Sequence, residues 1–263
     1  MRPRVFGKDE GSVKGGIYIY CIIQSGAHLS FGPIGIGGNG DDVYTLSYRD
    51  MSAVVSRTAV RKWSVTRENV MPHKRVVEEV MRTHTVLPVR FATIAEDENK
   101  VSRILEREYE RFLDLLSYMD GKKEFGLKTM FKDNTIYQDI LEKHDDIRLL
   151  KQKIAVLSPE KTQYQRMEIG GMVEAAMEKE RASCREAMLA ALTPLAVEVK
   201  TNKVYGEQMI LNAAFLVEKE AEKAFDDAVA NLTGRYGETV RFKYAGLLPP
   251  FSFVNLVVRT EDN

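Results

Sequence analysis

Gly35-Ile36-Gly37-Gly38-Asn39-Gly40 has the G-x-G-x-x-G spacing with which a dinucleotide fold lays backbone amides on a pyrophosphate. That chemistry needs a helix after the glycines, and the β-branched and aromatic run from Val43 to Tyr48 reads as a strand, so the segment is a loop. Four histidines, His28, His73, His84 and His144, contain no H-E-x-x-H pair. His73 and His84 lie three helical turns apart, roughly 16 Å along one face, too far to share a metal ion; they read as the polar edge of an amphipathic helix. Cys21 and Cys184 form no ligand pair and read as small buried or half-buried side chains of a reducing, cytoplasmic setting. Arginines beside Cys184 would lower its pKa, but no base accompanies it, and no G-x-S-x-G serine is present. The adjacent acids Asp41-Asp42, Asp145-Asp146 and Asp226-Asp227 point apart on regular elements and suit turns and caps. The chain therefore reads as a non-enzyme with no cofactor and no metal.

One charge stands out. Arg90 lies inside Val86-Leu87-Pro88-Val89-Arg90-Phe91, where a buried guanidinium must be paired. It is either an internal ion pair that ties the helix after Glu96 to the sheet, or a contact to a partner.

The elements that must position these residues follow from periodicity. Gly16 to Ile23 is a buried strand, and Val43 to Tyr48 and Met51 to Ser56 form a hairpin around Arg49-Asp50. Val70, Val76, Val77, Val80 and Met81 predict a helix over 66–84, with Pro72 tolerable in its first turn. A strand from Val86 to Phe91 precedes one helix whose stripe runs from Val101 to Met119 and ends at Gly121. In the second half, a strand near Phe125 is followed by a helical hairpin that projects from the domain, with Gly170-Gly171 interrupting its long helix. Strands at Leu195–Lys200 and Met209–Val217, a helix from Glu218 and a strand from Thr239 to Tyr244 complete a β-α-β-β-α-β order. The expected fold is α+β in two domains, the C-terminal one ferredoxin-like with a projecting helical hairpin and the N-terminal one a modified ferredoxin-like domain. The expected boundaries are a flexible 1–15, an N-terminal domain 16–121, a C-terminal domain 122–245 and an apolar, Pro-rich tail 246–263.

Composition narrows the functional classes. With 263 residues and 44% apolar content, two buried cores are within reach. Lys plus Arg equals Asp plus Glu at 38 each, so no whole-chain field attracts nucleic acid or an anionic membrane. No secretory h-region follows the basic start, and nowhere do enough apolar residues run together to span a bilayer.

The tail, Gly246-Leu247-Leu248-Pro249-Pro250-Phe251-Ser252-Phe253, carries two prolines that stop a helix and remove two ladder donors while apolar neighbours still need burial. Together with Ile17-Tyr18, the helix around His73, Leu87-Pro88-Val89-Arg90-Phe91 and Asn212-Ala213-Ala214-Phe215-Leu216-Val217, it resembles the gas vesicle GvpL/GvpF family, from about Gly16 to Val257. The family's tail commonly looks like Gly-Pro-Trp-Pro-Pro-Tyr-Ser-Phe. This chain keeps Gly246, Pro249, Pro250, Ser252 and Phe253, and replaces indole and phenol donors by Leu247-Leu248 and Phe251. The resemblance implies an accessory or minor structural protein of gas vesicle assembly, vesicle-associated, whose partners are the apolar major shell protein and other accessory proteins. Leu247, Leu248, Pro249, Pro250 and Phe251 are then the candidate partner-binding residues, or else a clamp across the two domains. The alternative is a ligand- or haem-binding tandem ferredoxin-like protein or enzyme, with His73 or His84 as axial ligand.

Overall fold

In the computed structural model, which describes residues 15–37, 41–59, 62–132 and 135–256, β1 (Gly16–Ile23) is buried at every position. β2 (Ser30–Gly32), β3 (Val43–Tyr48) and β4 (Met51–Thr58) follow, the last two joined as a two-residue hairpin in the register Tyr48↔Met51. α1 (Arg67–Met81) starts at Thr66, whose hydroxyl accepts from the Asn69 amide. Pro72 sits beyond the first turn of α1, later than expected, so the Glu68 carbonyl loses its helical donor at a position open to solvent.

The expected strand from Val86 to Phe91 is cut short. β5 (Val86–Pro88) pairs with Cys21–Ile23, the chain then bulges away, and β6 (Ile94–Ala95) returns to pair with Ile17 and Tyr18. The helix expected over Val101–Met119 is two, α2 (Glu98–Arg107) and α3 (Tyr109–Met119), meeting at Glu108, which both Arg107 and Arg111 pair with. The sheet runs β2-β3-β4-β1-β5, with β6 also on β1, and every pairing is antiparallel. Strand alternation gives it two faces. Tyr18, Tyr20, Val43 and Val54 pack with Val76, Val77 and Val80 of α1, whereas Tyr44, on the other face of β3, bonds Glu98 of α2.

Two compact units divide the chain: residues 1–120 with 249–263, and Gly121–Leu248. The second contains β7 (Lys122–Phe131), α4 (Thr135–Lys143), α5 (Asp145–Ala155), α6 (Gln163–Leu192), β8 (Glu198–Thr201), β9 (Met209–Glu218), α7 (Glu222–Tyr236) and β10 (Val240–Leu248). Its antiparallel sheet has the order β10-β7-β9-β8, the fourth, first, third and second of its strands. Seven α-helices and two antiparallel sheets are thus present among the described residues, an α+β protein. The core of the second unit joins Leu127 and Phe215 of the sheet to Ile147 and Ile154 of α5, Met188 and Leu192 of α6, and Phe225 of α7.

α6 carries Gly170 and Gly171 in its interior without a break in the helix, both exposed, and a Cβ on either would meet nothing within 4 Å. The fold therefore does not need glycine there, and each costs about 1 kcal/mol of helix propensity against alanine. Replacing both by alanine should raise the stability of the second unit by about 1–2 kcal/mol, read as a higher urea midpoint in far-UV circular dichroism. An unchanged or lower midpoint would show that the helix is strained at this point.

β10 runs past the expected end at Tyr244, to Leu248, with a shift in register between Ala245 and Leu248. Gly246 is required here, since a Cβ on it would lie 2.7 Å from the Phe125 ring. The bulge leaves Leu247 at φ 56°, a conformation costly for a branched side chain, and 54% exposed.

Candidate functional site

The glycine loop is not a phosphate cradle. Ile36 is buried, its amide donates to the Tyr20 phenol, and β3 follows rather than a helix; Gly38, Asn39 and Gly40 lie outside the described residues. Cys21 and Cys184 are both buried free thiols whose pKa burial pushes up. For Cys184 burial is the largest cause and the Glu180 carboxylate adds to it, while Lys143 and Arg235 oppose the rise without reversing it, so the lowering expected from the neighbouring arginines is not seen. Among the described residues no three His, Cys, Asp or Glu side chains could hold a metal ion.

His73 is the surprise. It is not a polar edge but lies 2% exposed in the middle of α1's apolar face, inside an aromatic cage. Its ring centroid is 5.7 Å from those of Tyr18 and Tyr20, 5.8 Å from Phe91 and 6.3 Å from Phe251. The spacing Val70, His73, Val77, Val80 repeats at three and four, which is the signal that places it there.

The hydrogen bonds favour one tautomer of its ring. The Tyr18 phenol oxygen accepts from the Ala92 amide at 2.9 Å and lies 3.1 Å from His73 Nδ1. With one lone pair used, the phenol satisfies its own proton by donating to Nδ1, leaving the proton of the neutral ring on Nε2. Nε2 is buried and has no acceptor within hydrogen-bond geometry, although the Val89 carbonyl favours the charged ring electrostatically. Burial dominates and drops the His73 pKa to about 4, so the ring is neutral at pH 7. Burial also raises the Tyr18 phenol above its usual value. Nδ1 thus faces the Tyr18 phenol, and Nε2 is closed to solvent. His84 lies past the end of α1, bonded to Thr83 and edge-on to Phe31.

In front of this cage is a groove of about 320 Å³. Its walls are Val70, His73 and Lys74 of α1, the Pro88–Phe91 bulge, and the returning C-terminal segment with Phe251, Val254, Asn255 and Leu256. The bulge is held open by three contacts: Val89 N–H donates to the Tyr20 carbonyl at 3.0 Å, Thr93 Oγ1 donates to the Arg90 carbonyl at 2.7 Å, and Ala92 reaches the Tyr18 phenol at φ 64°. The C-terminal segment turns through Val254 N–H to the Pro250 carbonyl, 2.9 Å, and pairs Leu256 with Val89 as a parallel bridge.

Arg90 is not buried. It is exposed at the groove's edge, outside any strand, and takes part in no ion pair among the described residues; Glu96 is not its partner. The five tail residues are divided between the two units. Leu247 and Leu248 end a strand of the second unit, the first exposed and the second half-buried, whereas Pro249 and Pro250 are buried and Phe251, half-buried, lines the groove of the first unit. Sequence reasoning missed Val70, Lys74 and the three residues from Val254 to Leu256, since nothing local shows that a chain end folds back onto a helix and a bulge.

Comparison with known proteins is consistent along the whole described length. The family model described as gas vesicle synthesis protein GvpL/GvpF matches residues 16–255. Gas vesicle protein F of a Streptomyces species is 29% identical over 240 residues, covering 90% of this chain and 98% of that protein. Gas vesicle protein F of Dolichospermum flosaquae is 25% identical over 204 residues, covering 76% and 82%. The crystal structure of GvpF from Anabaena superposes with a TM-score of 0.76 at 24% identity, covering 92% of this chain and 99% of that one, and so shares the fold. The chain belongs to the gas vesicle synthesis protein GvpL/GvpF family.

Proposed function

We propose that this protein is an accessory or minor structural protein of gas vesicle assembly that works by protein contact, not by catalysis, in the cytoplasm and on the forming vesicle. Its partners are the apolar major shell protein and other accessory proteins of the same system. Family membership supports the role, and the apolar groove beside His73 is the observation that carries the contact. A cleft floored by the neutral His73 ring and its aromatic neighbours, with half-exposed Phe91 and Phe251 at its walls, is suited to take apolar side chains of a subunit before they are buried in a wall. No helix among the described residues is long and apolar enough to cross a membrane.

Co-expression with the other proteins of a gas vesicle cluster tests this reading. The full chain should capture shell or accessory protein, and the double variant Phe91→Ser, Phe251→Ser should lose that capture by about tenfold or more, with the fluorescence of the sole tryptophan, Trp63, reporting that the first unit remains folded. No capture by the unaltered chain would overturn the proposal; equal capture by both forms would move the contact away from the groove.

A further inference from the structure

We propose that the groove selects partner segments in which an apolar run carries a carboxylate, and that Arg90 reads it. The inference rests on the assembly role in that it takes the occupant to be a protein segment. Among the described residues that line the groove the charged ones are Lys74 and Arg90, none is acidic, and the remaining polar groups are the Asn255 amide and the His73 ring. Lys74 is already engaged by Glu78 at 3.3 Å, one turn along α1. Arg90 is not engaged among the described residues, and it lies exposed on the lining of an apolar cavity in a chain whose 38 basic and 38 acidic residues balance.

The placement of Arg90 is enforced rather than incidental. The bulge that carries it leaves the sheet after Pro88, and its backbone carbonyl is held by Thr93 through both the amide, at 3.2 Å, and the hydroxyl, at 2.7 Å. A fixed backbone with a free fork of donors is the arrangement that suits bidentate binding of a carboxylate. The cavity sets the length: about 320 Å³ is at the small end of ligand sites, room for two or three apolar side chains. Nucleic acid does not fit, since one arginine over an apolar floor offers no track for successive phosphates. Half-exposed aromatic walls beside an arginine match the composition of protein contacts.

The test uses the full-length protein and fluorescein-labelled, end-blocked pentapeptides of leucine and phenylalanine with one central Glu, Gln or Lys, followed by anisotropy. At about 50 mM salt the Glu peptide should bind about tenfold more tightly than the Gln peptide, and the gap should close toward about 1 M. Arg90→Gln should bring the two peptides together without weakening the Gln peptide, and Arg90→Glu should invert the preference toward Lys. Equal binding of Glu and Gln peptides, binding of neither, or a preference that survives Arg90→Gln would overturn the proposal. So would displacement of the Glu peptide by dodecanoate at equal concentration, which would make a lipid the occupant. Discrimination seen only after removal of residues 257–263 would assign the groove to this chain's own acidic end. Peptides bound without discrimination by a protein that still captures shell protein would remove the carboxylate and leave the assembly role; discrimination in a protein that captures nothing would do the reverse.

Discussion

Phe225→Ala should cost the second unit about 4 kcal/mol, enough to bring a marginal domain near unfolding. Phe225 of α7 is fully buried, its ring centroid 5.1 Å from Phe215 of β9, 5.2 Å from Phe125 of β7 and 6.3 Å from Tyr244 of β10. One ring thus bonds a helix to three neighbouring strands. Its removal takes away its own burial and leaves a cavity that neither β7 nor β9, each paired on both sides, can close by moving. Phe225→Leu retains most of the volume and should cost about 1.5 kcal/mol or less. The measurement is the shift of the urea transition in far-UV circular dichroism for both variants. A loss below about 1 kcal/mol for alanine would mean that α7 can collapse onto the sheet, and that the ring cluster is not what fixes it.

The second unit was the more legible half because its chemistry is local. Leu127, Phe215 and Phe225 alternate or recur at the period of their own element, so the element order and the α+β class follow from the pattern alone. The first unit's groove depends on contacts across the chain. Val86 to Phe91 has the composition of a strand, yet Pro88 supplies no ladder donor, and a phenol 74 residues away captures the Ala92 amide and turns the chain out of the sheet. Arg90 leaves the core with that bulge, so a charge that looked buried is exposed. Histidine is read as polar by habit, and its place in the α1 stripe is visible only when position is weighted above residue type. The tail carried a legible signal, two prolines among apolar residues, but the split of its duties between a strand end and a groove wall is set by Gly246 against Phe125 and by Leu256 against Val89.

Between pH 6.5 and pH 4 the first unit should lose about 3 kcal/mol of stability through His73 alone. The folded-state pKa of about 4 lies below the ordinary 6.5, so in that window the unfolded chain binds the proton and the folded chain does not. Stability is therefore complete above pH 6.5 and falls as the pH drops, until the folded ring also takes a proton near pH 4 and the slope ends. The Val89 carbonyl offsets only part of the charge: among the described residues that line the groove the charged ones, Lys74 and Arg90, are both cationic, and the Tyr18 phenol is held protonated beside Nδ1. Trp63 packs against the same core cluster and is the sole tryptophan, so urea titrations followed by its emission at pH 7, 6, 5 and 4.5 report on this unit. His73→Phe should flatten the profile in that window even though it leaves the Tyr18 proton without its acceptor and lowers stability at pH 7. A profile in the variant as steep as in the unaltered chain would assign the acid sensitivity to other groups and would place a charged imidazole within reach of the cage. The folded ring stays neutral through that window, so the floor of the groove should remain apolar, and groove binding by the folded protein should persist, down to about pH 4 while stability is already falling.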